Sequence, residues 1–202
     1  MKNLLNYRWF HFGPLLIRTK IKQPDLLKVK KLISKKGSNY NKRLAGVIKN
    51  EHAVDRAKYQ AAIAPYLNLY LHGHEQRTGH RRKGTWTCTN AWVNYMRPGE
   101  FNPPHTHDAC NISSVLFVKI PDELKKENEI WRKKEIRSSG PGSLEFMYML
   151  QEEFCIGNIH MFPEEGELYI FPNFLFHFVA PFTSKCERVS VAANFDLKTE
   201  NP

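Results

Sequence analysis

Seven short runs of apolar or alternating residues follow one another after residue 84, and they constrain the fold of this 202-residue chain more than any other feature. Turn signals separate them, among them Arg97-Pro98-Gly99, Pro103-Pro104 and Pro163–Gly166. Short runs bounded by such turns are typical of antiparallel strands packed as a sandwich or barrel. We count about eight strands, the number in a double-sheet jelly roll. The runs are Thr85–Met96, Ser113–Ile120, Ser143–Tyr148, Asn158–Phe162, Glu167–Phe171, His177–Val179 and Glu187–Phe195.

The first 84 residues have a different pattern. Pro14–Ile21 predicts a strand, and Gln23-Pro24-Asp25 begins a helix whose apolar residues recur at helical spacing. A second amphipathic helix is predicted from Asp55 to about Leu71. The fold class is therefore mainly β, a jelly-roll core with N-terminal α-helices packed on it. We expect residues 1–84 to form a basic strand and helix segment against the barrel and residues 85–202 to form the core, within one structural domain.

Composition and charge limit the possible partners. Hydrophobic residues make up 42% of the chain, which excludes a disordered protein, and no apolar run reaches the ~18 residues of a membrane span. We therefore expect a cytoplasmic protein with no membrane partner. The net charge of +10 is entirely N-terminal: residues 1–90 hold 19 Lys and Arg against four Asp and Glu, whereas residues 91–202 hold 11 against 16. The basic half is compatible with a nucleic acid or another polyanion, and equally with a solvated face.

The segment His105-Thr106-His107-Asp108 falls between two predicted strands. Residues i and i+2 of an extended chain project from the same face, so His105 and His107 can reach one metal ion from a single rigid element. Asp108 would point to the opposite face of a strict strand, although a turn at that point could bring it back. A second histidine group, His72, His74 and His80, lies in a stretch that we interpret as a Gly- and Arg-rich loop, where histidines are ordinary surface residues.

Two further residues lie downstream on predicted strands. His177 begins a strand, and Arg188 shares one face of the last strand with Ser190, Ala192 and Asn194. A lone arginine among small inward-facing residues is costly to bury unless it meets an anion. The last strand therefore predicts an anion site.

These motifs together resemble the iron(II)- and 2-oxoglutarate-dependent oxygenases, most closely a group common in marine bacteria and their phages. The resemblance covers nearly the whole chain and is most specific over residues 92–195. It is carried by Trp92-Val93-Asn94, by Asn102–His107, by Gly166–Pro172 leading to His177, and by Arg188-x-Ser190 ending at Asn194.

The resemblance implies a double-stranded β-helix and a non-haem iron(II) dioxygenase that uses 2-oxoglutarate and O2, hydroxylates a C–H bond, and releases succinate and CO2. It implies that His105 and His177 are iron ligands, that Arg188 and Ser190 bind the distal carboxylate of 2-oxoglutarate, and that Asn94 contacts the same molecule. If the protein is phage-encoded, its compartment would be the host cytoplasm. Aromatic residues that could line the barrel mouth or its core are Phe101, Phe117, Phe146, Tyr169, Phe174 and Phe178.

The sequence departs from the usual family pattern at the third ligand. The usual set is two histidines and one carboxylate in a His-x-Asp motif, whereas here the i+2 residue is His107. Spacing favours a metal site of His105, His107 and His177, with Asp108 as the alternative third ligand. The substrate remains open between a protein or peptide, a small molecule, and a nucleobase or nucleic acid. The alternative to an enzyme is a non-catalytic jelly-roll binding or structural module.

Overall fold

The computed structural model describes residues 13–41, 44–134, 139–149 and 155–199, which contain three helices and ten strands. The helices are α1 (Gln23–Leu32), α2 (Arg56–Thr78) and α3 (Asp122–Arg132). The strands are β1 (Ile17–Lys20), β2 (Glu51–Ala53), β3 (Gly84–Met96), β4 (Asn102–His105), β5 (Ile112–Lys119), β6 (Leu144–Met147), β7 (Asn158–Met161), β8 (Glu167–Pro172), β9 (Phe176–Val179) and β10 (Arg188–Thr199). No helix within these residues is long and apolar enough to cross a membrane.

The strands form two antiparallel sheets that pack face to face. The larger has the order β1-β8-β5-β10-β3-β2 and the smaller the order β4-β9-β6-β7. Buried residues of both sheets, including Phe117, Phe146, Tyr169 and Phe171, form one apolar cluster between them. The predicted mainly β jelly-roll class is confirmed.

Helices α1 and α2 cover the other face of the larger sheet. Residues that alternate along β10, namely Val189, Val191 and Ala193, share an apolar cluster with Tyr59 and Leu67 of α2. The residues between them therefore face the smaller sheet. This alternation directs Arg188, Ser190 and Asn194 into the space between the sheets, as their spacing predicts.

Two sequence-based interpretations are wrong in detail. Pro103-Pro104, interpreted as a turn, lies in strand β4, which is possible because β4 is at the edge of its sheet and a missing N–H is tolerated there. Helix α2 continues beyond Leu71 to Thr78, so His72 and His74 are helical rather than in a loop. Gly73 lies in this last part of α2, and a glycine inside a helix costs only about 1 kcal/mol, which is too little to end it.

Candidate active site

Three histidines converge at the mouth of the barrel between the two sheets. Strands β4 and β9 pair so that His105 lies directly opposite His177. His107 follows β4 by two residues, and its Nε2 lies 3.2 Å from the Nε2 of His177. One ligand atom from each of the three histidines lies within 4.8 Å of the others. Two nitrogens bound to one ion at ~2.1 Å and at a right angle are about 3 Å apart, so this cluster has the dimensions of a metal site.

Hydrogen bonds to backbone carbonyls orient two of these rings. His105 Nδ1–H donates to the carbonyl of Pro103 at 2.7 Å, and His177 Nδ1–H donates to the carbonyl of Leu175 at 2.9 Å. Because a carbonyl oxygen can only accept, each bond places the proton on Nδ1 and leaves the Nε2 lone pair available. Both rings are therefore held in the tautomer that a metal ion requires at Nε2.

The cluster also favours neutral imidazoles. Burial lowers the pKa of His105, and burial together with the nearby His105 ring lowers the pKa of His107 to about 4. Burial and the two neighbouring imidazoles lower the pKa of His177 far below its ordinary value. Since a metal ion binds only unprotonated imidazole, the three rings are ready to coordinate at neutral pH.

The structure brings His107, and not Asp108, into the cluster. The His107 N–H donates to the carbonyl of Asn173 at 3.0 Å, and Asn173 Nδ2 donates back to the His107 carbonyl at 3.0 Å. This pair of bonds fixes the backbone beyond the end of β4 and keeps the His107 ring beside His177. Asp108 is exposed on the same cavity wall. Asn173 was missed by sequence reasoning, and its only signal is the Pro172-Asn173 turn.

Arg188 is a buried cation with no anionic partner among the described residues. It is 2% exposed, its guanidinium carbon lies 4.6 Å from the centre of the Phe117 ring, and Nη1 donates to the sulfur of Met96 at 3.1 Å. Its Nε and Nη2 have no hydrogen-bond partner among those residues. Burial lowers the pKa of Arg188 to about 9. A buried planar pair of donors without a partner among the described residues has the chemistry that suits a carboxylate.

Ser190 and Asn94 extend this polar strip across the sheet. They face each other across the β10–β3 pair, and both are buried. The Asn94 Oδ1 has no partner among the described residues. The three predicted anion-site residues, Arg188, Ser190 and Asn94, therefore lie on one face of two adjacent strands.

A cavity of about 390 Å³ opens beside the histidines. Its aromatic residues are Trp92 and Tyr40, whose rings stack with centroids 5.9 Å apart. None of the six aromatic residues that the sequence suggested is among its described lining residues: Phe117, Phe146 and Tyr169 fill the core between the sheets, and Phe101 and Phe174 are exposed. The described lining residues are Tyr40, Leu44, Ala45, Gly46, Glu51, Asn90, Trp92, Asn102, His105, Thr106, His107, Asp108 and Asn194.

A family model described as "Putative 2OG-Fe(II) oxygenase" matches residues 90–194, just over half of the chain. The matched segment contains all three clustered histidines, Asn94, Arg188 and Ser190. The chain belongs to the 2OG-Fe(II) oxygenase family. This oxygenase is therefore an oxidoreductase that uses iron(II) and 2-oxoglutarate, with O2 as the other co-substrate.

Solved structures share the fold of this oxygenase. A prolyl-4-hydroxylase from Pseudomonas putida is 16% identical, with 91% of this chain and 92% of that chain covered and a TM-score of 0.54. The viral collagen prolyl hydroxylase of Paramecium bursaria Chlorella virus-1, in its 2OG complex, is 12% identical (89% and 94% covered, TM-score 0.53). A prolyl hydroxylase with a hypoxia inducible factor peptide fragment, from Trichoplax adhaerens, is 11% identical (92% and 84% covered, TM-score 0.50). No curated protein matches the sequence.

The side chains of this oxygenase fit both cofactors. Imidazole nitrogen is a suitable donor for iron(II), and the three histidines offer neutral nitrogens that are close together. The buried and unpaired guanidinium of Arg188 fits a carboxylate of the dianionic 2-oxoglutarate.

Proposed function

We propose that this oxygenase hydroxylates a C–H bond of a protein or peptide substrate and converts 2-oxoglutarate to succinate and CO2 in the same cycle. In this proposal His105, His107 and His177 hold the iron, and Arg188, Ser190 and Asn94 hold 2-oxoglutarate. The observation that carries it is the pairing of two features inside one barrel: three convergent neutral histidines and a buried arginine without an anion.

The bound iron and 2-oxoglutarate supply the activation of O2 and the oxidation of the C–H bond. The protein positions the metal ligands and 2-oxoglutarate and shields the site from water. The carbonyls of Pro103 and Leu175 fix the rings of His105 and His177. The Nε and Nη2 donors of Arg188 would hold one carboxylate of 2-oxoglutarate. The centroid of the Phe171 ring lies 4.7 Å from that of the His177 ring, and this contact keeps water from that side of the site.

A peptide substrate is supported by the cavities beside the site and by the structures that share the fold. A second cavity of about 790 Å³ adjoins the first, and the two share Tyr40 and Gly46 on their walls. The second cavity is lined by residues 39–41 and 46–49. The structures with the same fold include prolyl hydroxylases, one of them with a bound peptide fragment.

The test is succinate formation from 2-oxoglutarate by the iron-loaded protein, measured together with O2 consumption. We expect slow turnover without substrate, and its loss in His177→Ala. His160→Ala is the matched control, because His160 is an exposed histidine on β7 outside the cluster; it should keep the wild-type rate. A folded, iron-loaded wild type that neither binds 2-oxoglutarate nor forms succinate would contradict the proposal and favour a non-catalytic jelly-roll module.

A further inference from the structure

Glu51 is a buried acid on the wall of the active-site cavity that the proposed chemistry does not use. It lies on strand β2, is 1% exposed, and its Oε2 has no hydrogen-bond partner among the described residues. It pairs in register with Asn94 on β3, so it continues the polar strip of Asn94 and Ser190 to the edge of the sheet. A buried carboxyl oxygen without a partner among the described residues is costly for folding, which indicates a ligand partner.

Among the described residues, the charged group that acts on Glu51 is a second carboxylate, Glu100. The nearby Glu100 accepts hydrogen bonds from the backbone N–H groups of Lys49 and Arg97, so both of its oxygens are occupied. Burial, with the Glu100 carboxylate, raises the pKa of Glu51 to about 8. A group with such a pKa is ionised at neutral pH when a cation comes next to it.

The cavity as a whole also favours a cation. Its described lining contains two carboxyl side chains, Glu51 and Asp108, and neither lysine nor arginine. The charges of iron(II) and of the 2-oxoglutarate dianion cancel, and Arg188, which adds one positive charge, is not among the described lining residues, so the two carboxyls are the charged side chains of the described cavity wall. The Trp92 ring lies on the same wall, and aromatic faces attract ammonium and guanidinium groups.

We propose that Glu51 is a specificity-determining residue of this oxygenase and that its substrate places a cationic nitrogen, an ammonium or a guanidinium, against the Glu51 carboxylate in this cavity. The inference rests on the proposed function, because it assigns the substrate class of the same site. The carboxylate accepts the N–H donors of the cation, and the Trp92 and Tyr40 rings line the wall that the cation enters.

The experiment measures binding by NMR titration to the iron-loaded protein with 2-oxoglutarate under anaerobic conditions. The cationic probes are N-acetyl-lysinamide and N-acetyl-argininamide, and their neutral counterparts are N-acetyl-norleucinamide and N-acetyl-citrullinamide. We expect the cationic probes to bind about ten- to hundred-fold more tightly, the range of a charge-assisted hydrogen bond. Butylammonium and butylguanidinium are tested beside them. Tighter binding of the acetylated amides would indicate a side chain of a peptide, and equally tight binding of the butyl compounds would indicate a free small cation. Equal affinity for cationic and neutral probes would overturn the proposal.

The isosteric variant Glu51→Gln separates charge from shape. It should remove the preference for the cationic probes and leave affinity for the neutral ones unchanged, which also shows that the cavity is intact. Glu145→Gln is the matched control, because Glu145 is a buried glutamate on β6 that does not line the cavity; it should keep the preference. A Glu51→Gln protein that still prefers cations would overturn the assignment to this residue.

Basal succinate formation keeps the two proposals distinguishable. Turnover of 2-oxoglutarate without any preference for cations would refute the role of Glu51 and leave the oxygenase proposal in place. Cation binding that depends on Glu51 in a protein without turnover would refute the oxygenase proposal and leave the cation site in place.

Discussion

At the residue scale, Arg188 has opposite effects on stability and on function. Its guanidinium is buried beside Phe117 and Met96 and has no carboxylate partner among the described residues. Burying an unpaired cation costs several kcal/mol, and the lowered pKa of Arg188 has the same physical origin. A fold retains such a residue when an anionic ligand offsets the cost.

Replacing Arg188 with methionine should therefore separate the two effects. We expect Arg188→Met to be as stable as the wild type or more stable without ligand, because an apolar side chain fills the same space. The stabilisation by 2-oxoglutarate, about 2.7 kcal/mol at a hundred-fold excess over Kd, should disappear. Urea unfolding of the iron-loaded protein, with and without 2-oxoglutarate under anaerobic conditions, measures both quantities.

The control for this prediction is Arg18→Met. Arg18 is half-exposed and donates to Glu167 at the edge of the larger sheet, away from the site. It should keep the stabilisation by 2-oxoglutarate. If Arg188→Met kept it too, the arginine would not be the anion site.

Single substitutions also test which residue is the third metal ligand. We expect His107→Ala to lose bound iron(II), because the His107 Nε2 lies 3.2 Å from that of His177. Asp108→Ala should keep one iron per chain, because its carboxyl lies outside the histidine cluster. Metal content after gel filtration measures both variants. If Asp108→Ala lost iron and His107→Ala kept it, Asp108 would be the third ligand.

At the scale of elements, helix α2 stabilises the barrel by completing the hydrogen bonding of a strand edge. Strand β2 pairs with β3 only at residues 92–94 of β3. Beyond that, Gln60 of α2 takes the place of a strand: its Nε2 donates to the Trp86 carbonyl at 2.7 Å, and its Oε1 accepts from the Cys88 N–H at 2.6 Å. The side-chain amide thus satisfies one donor and one acceptor of the backbone at this edge.

Removing the amide should leave both backbone groups without a partner. We expect Gln60→Ala to lower the free energy of unfolding by about 2 kcal/mol or more, since each orphaned group costs about 1–3 kcal/mol. Gln76→Ala, an exposed position on the same helix, should change it by less than about 0.5 kcal/mol. Urea unfolding measures both. Equal effects of the two substitutions would show that Gln60 does not support the strand edge.

At the scale of the whole molecule, the sequence predicts what depends on local spacing and misses what depends on distant pairing. The i, i+2 spacing of His105 and His107 and the alternation of Arg188 and Ser190 are properties of single strands, and the structure places all four residues as that spacing predicts. Glu51 reaches the cavity only because β2 pairs with β3, and nothing in its neighbouring residues indicates this pairing.

Net charge is a poor guide to the site for the same reason. The chain carries +10 overall, whereas the described lining of the active-site cavity contains two carboxyl side chains and neither lysine nor arginine. The charge of the whole chain is compatible with a polyanion as partner or with a solvated basic face, whereas the charged side chains of the described cavity wall are negative. Only the fold shows that the basic residues of the chain and the described wall of the cavity are different surfaces.

The central claim is that one barrel holds iron on three histidines and 2-oxoglutarate beside it. Anaerobic titration of the protein with iron(II) and 2-oxoglutarate tests it most directly, because a 2-oxo acid chelated to iron(II) gives a visible charge-transfer absorption that neither has alone. We expect this absorption to saturate at one iron per chain in the wild type and in His160→Ala, and to be absent in His177→Ala. No absorption in the iron-loaded wild type, or equal absorption in His177→Ala, would contradict the account.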